Sequence, residues 1–154
     1  MSIVKHGTIV AIVLSLLSGC VSGADNESLE SRVSRLVDQA TKSARAEARA
    51  FSELESLGGQ AVPYLVGHLG DVRPLAEERI NLENNAPDAF EAVRHYGPDT
   101  VPDALAAILN QVAGQDFVFV YNGATSRERE ENRRRWVEWC HSNYRDQAEI
   151  CSGQ

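Results

Sequence analysis

Two stretches of this chain are variants of one another. Ala50 to Leu69, "AFSELESLGGQAVPYLVGHL", aligns with Ala89 to Ile108, "AFEAVRHYGPDTVPDALAAI", at an offset of 39 residues. The pairs Ala50/Ala89, Phe51/Phe90, Gly58/Gly97, Val62/Val101 and Pro63/Pro102 are identical. Internal similarity at this period constrains a fold strongly. A unit of this size cannot bury its own apolar face, so it must stack on a neighbour.

Each matched position has a mechanical reading. Phe51, Leu54 and Leu57 are three apart and share one helical face, as do Phe90, Val93 and Tyr96. Gly58 and Gly97 follow, where a helix ends through a left-handed residue. Pro63 and Pro102 come next, and proline is tolerated in the first turn of a helix because its missing N–H had no partner there. Thr100 and Asp103 have the spacing of a capping box. Val62, Leu65, Val66 and Leu69 then run at i, i+3, i+4, i+7, and Val101, Ala104, Leu105 and Ile108 repeat the pattern. The unit predicted is helix, glycine turn, helix.

"LGGQAVPYLVGHLGD" and "GPDTVPDALAAIL" resemble the core of HEAT-type repeats, over about residues 46–113. The resemblance implies an all-α fold, a short HEAT-like α-helical stack of the α-α superhelix type with capping helices. By analogy alone it implies scaffolding or partner binding. The second unit departs from the pattern, with Tyr96-Gly97-Pro98 where the first has Leu57-Gly58-Gly59. Asp71 to Pro87 intervenes and predicts a short helix around Leu75 to Leu82, which argues for a compact pile of helices over a regular superhelix. The flanks read as caps. Leu29, Val33, Leu36 and Ala40 mark a helix from about Ser28, and Ala44 to Leu57 continues or bends from it. Thr125 and Glu128 form a capping pair for a helix through Trp136 and Trp139. "DFVFVYNG" from Asp116 reads as an extended connection whose Phe117, Phe119 and Tyr121 pin that last helix to the repeats, with a minimal hairpin as the other option.

The first 20 residues are a separate matter. Lys5 precedes an apolar run, Thr8 to Leu17, about half the roughly 20 residues a membrane-spanning helix needs. The run ends in Leu17-Ser18-Gly19-Cys20, which resembles the lipobox of bacterial lipoprotein signal peptides. That resemblance implies cleavage before Cys20 and lipidation of its thiol. The expected organisation is a signal peptide over 1–19, a lipidated tether over 20–27, a helical domain over 28–146 and a tail over 147–154. The expected location is the bacterial cell envelope, anchored to a membrane through Cys20. Val21 stands where a retained inner-membrane lipoprotein carries aspartate, which favours the periplasmic side of an outer membrane if the cell has one. The alternatives are an ordinary secreted protein cut near Gly23-Ala24 and a signal-anchor helix.

Cys140 and Cys151 remain. Export to an oxidising compartment favours a bridge between them. A continuous helix would hold them about 16 Å apart, so a bridge requires the last helix to end near Ser142-Asn143 and the tail to fold back. The metal alternative, Cys140, His141 and Cys151 with His68 or His95, has poor ligand spacing.

Composition excludes some functions. A net charge of −7 does not suit nucleic-acid binding. There is no Gly-x-Ser-x-Gly elbow, no dinucleotide fingerprint and no phosphate loop. Glu77-Glu78 and Glu130-Glu131 are adjacent acids that solvate a helix face, and "REREENRRR" (Arg127 to Arg135) is a mixed-charge solvent face. No cofactor is indicated. The expected function is therefore a membrane-anchored interaction module for an unidentified envelope protein, with Tyr64, Trp136 and Trp139 as possible partner-binding residues and no catalytic residue assigned. Trp136 and Trp139 read first as closing the core. The alternative is an envelope enzyme or enzyme accessory, marked by His68, His95 or several acids converging in a concave pocket.

Overall fold

The computed structural model describes residues 27–84 and 89–153. The lipobox and Cys20 lie outside them. The chain forms α1 (Leu29–Ala40), α2 (Ala44–Ser56), α3 (Val62–Gly67), β1 (Ile80–Glu83), β2 (Val93–Tyr96), α4 (Val101–Ala113), α5 (Ser126–Asn143) and α6 (Ala148–Ser152). Short 3₁₀ turns, Gly58–Ala61 and Arg145–Gln147, lead into α3 and α6.

Side-chain caps set most helix starts. The Ser28 hydroxyl accepts from Ser31 N–H (3.1 Å) and the Ser43 hydroxyl from Ala46 N–H (3.4 Å), so α1 and α2 are two helices broken at Thr41-Lys42. Both expected capping boxes form, Thr100 with Asp103 and Thr125 with Glu128. Gly58 takes the left-handed φ of +63° that turns α2 toward α3. Val62, Leu65, Val66 and Leu69 are buried at the predicted spacing.

α4 is the central element. Its residues Val101 to Leu109 are all buried, which suits a helix apolar on every side. α3 packs on α4, α5 and α6, while α1 and α2 pack on each other. Trp136 closes the far side of the core from α5.

The expected all-α, HEAT-like stack does not form, because the fold is mixed α/β. β1 and β2 pair antiparallel in a two-stranded sheet, with Ile80 opposite Tyr96 and Glu83 opposite Val93. The half-repeat Ala89 to Tyr96 is thus a bend and a strand where a helix was expected, and β1 takes the place of the helix predicted around Leu75 to Leu82. The reason is visible in β1. "INLE" alternates apolar and polar, and Ile80 and Leu82 turn inward while Asn81 and Glu83 face water. The three-apart apolar residues of the second unit find no common buried face. Phe90 is fully exposed and Val93 is 37% exposed. Gly97 does not adopt a left-handed φ; its N–H donates to Asn122 Oδ1 at 2.8 Å.

α2 holds the hairpin through carboxylates. Buried Glu47 accepts from Glu77 N–H at 2.7 Å, and Glu55 accepts from Glu83 N–H at 3.2 Å. Burial raises the Glu47 carboxyl to about 7, with the backbone donors only partly opposing it and the Glu77 charge adding to the rise. A raised native value means that the folded state holds this proton more tightly than the unfolded chain. The Glu47 contribution to stability is therefore complete below the ordinary glutamate range and declines as pH rises toward 7. Glu47→Gln keeps an oxygen to accept from Glu77. Urea denaturation of both proteins between pH 4 and 8 is expected to show the variant gaining on the wild type as pH rises. A difference that is flat with pH would refute this.

Candidate functional site

α1, α3 and α6 enclose a cleft of about 660 Å³. Spacing places its side chains, because residues four apart on a helix share a face. Glu30 and Ser34 enter from α1, Tyr64 and His68 from α3 and its C-cap, and Glu149 and Ile150 from α6. Asp71 comes from the turn after α3.

The floor is polar and uncharged. Ser34 Oγ and His68 Nε2 share a hydrogen bond of 3.1 Å. Burial lowers the His68 pKa, with the nearby Asp71 charge opposing, so the imidazole is neutral at pH 7. Asp71 is occupied elsewhere. Arg73 Nε donates to both its oxygens, at 2.8 and 3.0 Å, and holds its pKa below the ordinary value, while Arg73 Nη1 reaches Asp38 at 2.8 Å. Glu30 and Glu149 are exposed on different walls of the rim, and among the described residues no lysine or arginine lines the cleft.

The third wall is docked by backbone contact. A Cβ on Gly67 would lie 2.7 Å from the Ile150 carbonyl oxygen, and one on Gly153 2.6 Å from the Gly67 carbonyl oxygen. Gly153 also has φ +75°. The expected Cys140–Cys151 disulfide is present, with Cα atoms 6.0 Å apart. α5 ends at Asn143 and the chain folds back, as a bridge requires. Over so short a loop it contributes roughly 2–3 kcal/mol. With the two sulfurs bonded to each other, Cys140, His141 and Cys151 do not form a thiolate metal site, and His141 Nε2 bonds Ser152 Oγ at 3.0 Å.

The three candidate partner residues do not share a surface. Tyr64 is half-buried in the cleft. Trp136 is 1% exposed and packs edge-to-face with Phe117 (4.9 Å) and Trp139 (5.5 Å). Trp139 is half-buried beside a separate shallow depression with Phe117, Arg134, Arg135, Glu138 and Ser142. The Asp116 connection is irregular, bending at Phe117 and Val118 and turning at Tyr121 and Asn122, and Phe117 packs on Trp136 of α5. Tyr121 turns to Tyr96 and Asp116 instead, and Phe119 is largely exposed. His95 bonds Asn81 on the hairpin at 2.7 Å and has no place in the cleft. Glu30, Ser34 and Glu149 were not singled out in the sequence. The signal available was the i, i+4 pairing of Glu30 with Ser34, beside Tyr64 with His68.

No family model, curated protein or solved structure matches the chain. Among the described residues, no helix is long and apolar enough to cross a membrane.

Proposed function

We propose that this protein is a lipid-anchored binding module of the bacterial cell envelope, and that the cleft between α1, α3 and α6 takes a basic segment of a partner protein. The observation that carries the reading is the acidic rim, Glu30 and Glu149, which form no ion pair among the described residues, over a neutral Ser34–His68 floor with Tyr64 beside it. A lysine or arginine side chain supplies the missing charge, and the tyrosine face attracts a cation within about 6 Å of its ring. The chain's net charge of −7 steers the same kind of partner. The Ser34–His68 pair gives the enzyme alternative its one specific observation. A serine nucleophile also needs a group that orients the histidine. The Asp71 carboxylate, the acid nearest at hand, is committed to Arg73.

The full chain in detergent is expected to bind a tetralysine peptide and not a tetraglutamate peptide. Glu30→Gln with Glu149→Gln is expected to weaken that binding about tenfold at low salt, with the wild-type affinity itself falling as salt rises. Equal affinity for both peptides refutes the charge reading. The tether is supported by Leu17-Ser18-Gly19-Cys20 alone. Cys20→Ala is expected to abolish fatty-acid labelling and release the protein from the membrane fraction, because two or three acyl chains anchor where one does not. Unchanged membrane association would defeat it.

A further inference from the structure

We propose that oxidation of Cys140 and Cys151 completes the cleft, so that the protein gains its binding site only after reaching an oxidising compartment. The proposal rests on the cleft being the docking site.

α6 supplies the third wall, yet it has five residues. A helix that short does not persist by itself in water, because nucleation fixes several residues for the first hydrogen bond. Its hold on the domain centres on one covalent bond. Cys151 is its one fully buried side chain, and that side chain is the bridge to Cys140, also buried. Ile150 is half-buried, and the His141–Ser152 hydrogen bond is exposed. α6 also packs along α3 and α5, and its closest approach is backbone against backbone at Gly67 and Gly153, a fit that exists only while α6 is already in place. The core does not lean on α6 in return. Apart from Cys151, its apolar residues lie in α1 to α5, β1 and the segments joining them. Loss of the bridge is therefore a local event. It frees Glu149, Ile150 and Gly153, and the cleft opens on one side.

The chemistry is thiol–disulfide exchange with a disulfide-bearing oxidant. One cysteine thiolate attacks an oxidant sulfur, forming a mixed disulfide and expelling one oxidant thiolate. The second cysteine thiolate then attacks the protein sulfur of that bond and expels the other. The cysteine pair loses two electrons and two protons, and the oxidant leaves as its dithiol. In the reduced chain, α6 is held only by its packing on α3 and α5, half-buried Ile150, the glycine contact and one exposed hydrogen bond.

The test is hydrogen exchange on the full chain in detergent, comparing the oxidised protein with the Cys140→Ser/Cys151→Ser variant. Exchange over residues 148–153 is expected to accelerate about tenfold or more, while α1 and α4 stay within about twofold of wild type. Tetralysine binding is expected to fall in parallel. A second variant, Gly67→Ala with the bridge intact, pushes on the Ile150 carbonyl and is expected to loosen the same segment without altering a thiol. Unchanged protection of 148–153 in the serine variant overturns the proposal. So does loss of protection throughout the chain, which would make the bridge a global staple. If the oxidised wild type binds no tetralysine, the docking reading fails by itself, and the exchange rates still decide whether the bridge holds the wall.

Discussion

Arg129→Ala is expected to lower the free energy of unfolding by about 3 kcal/mol. The basis is an ion pair at the junction of α4 and α5. The Asp103 side chain is fully buried and Arg129 is 16% exposed, with guanidinium bonds of 2.8 Å and 2.7 Å to the two carboxylate oxygens. Asp99 adds a third contact at 3.2 Å. Removing one member of a buried pair leaves the other charge without compensation, which costs about 3–5 kcal/mol. The low end applies because Asp103 keeps its capping bonds from Asp99 N–H, Thr100 N–H and the Thr100 hydroxyl. Urea denaturation at pH 7 measures the loss. A double-mutant cycle with Asp103→Asn isolates the pair, because the arginine is expected to matter far less once the carboxylate is gone. A loss below about 1 kcal/mol, the range of surface pairs, would show that solvent reaches Asp103.

Trp136→Ala is expected to lower stability by about 3–5 kcal/mol, the usual range for removing a buried large aromatic. The indole is among the largest buried side chains, and it is the middle member of the edge-to-face row from Phe117 to Trp139. Trp139→Ala is expected to cost clearly less, because that ring is half-buried and covered mainly by Trp136 and Tyr144. The comparison separates a core role from a partner role. If Trp136→Ala left the denaturation midpoint unchanged and abolished partner binding, the indole would be an interface residue and its burial would need another explanation.

The parts of the fold that local chemistry decides could be read from the residues. Thr100 with Asp103 and Thr125 with Glu128 cap their helices because the hydroxyl and carboxylate need only each other and nearby N–H groups. The end of α5 followed from the reach of a disulfide. What could not be read is whatever depends on a distant partner. Ala89 to Tyr96 copies the helical half-repeat closely in its apolar spacing, yet its second half, Val93 to Tyr96, pairs with Ile80 to Glu83 as a strand. The alternation in "INLE" was the local trace of that pairing, and the repeat pattern outweighed it. The cleft is a similar case. Tyr64 and His68 were visible as candidates, but Glu30, Ser34 and Glu149 become neighbours only when α1, α3 and α6 meet. The alternation of buried Val33, Leu36 and Val37 with Glu30 and Ser34 marks the latter as ordinary outward residues of an amphipathic helix.

The most direct test of the binding cleft is a residue-resolved titration. The full chain in detergent, labelled with ¹⁵N and ¹³C, is titrated with tetralysine while backbone amide, Tyr64 ring and His68 imidazole resonances are followed. The predicted result is a saturable shift confined to Glu30, Ser34, Tyr64, His68, Glu149 and Ile150. Saturable shifts that map instead to the depression beside Trp139, or no shift at the cleft at millimolar peptide, would contradict the account.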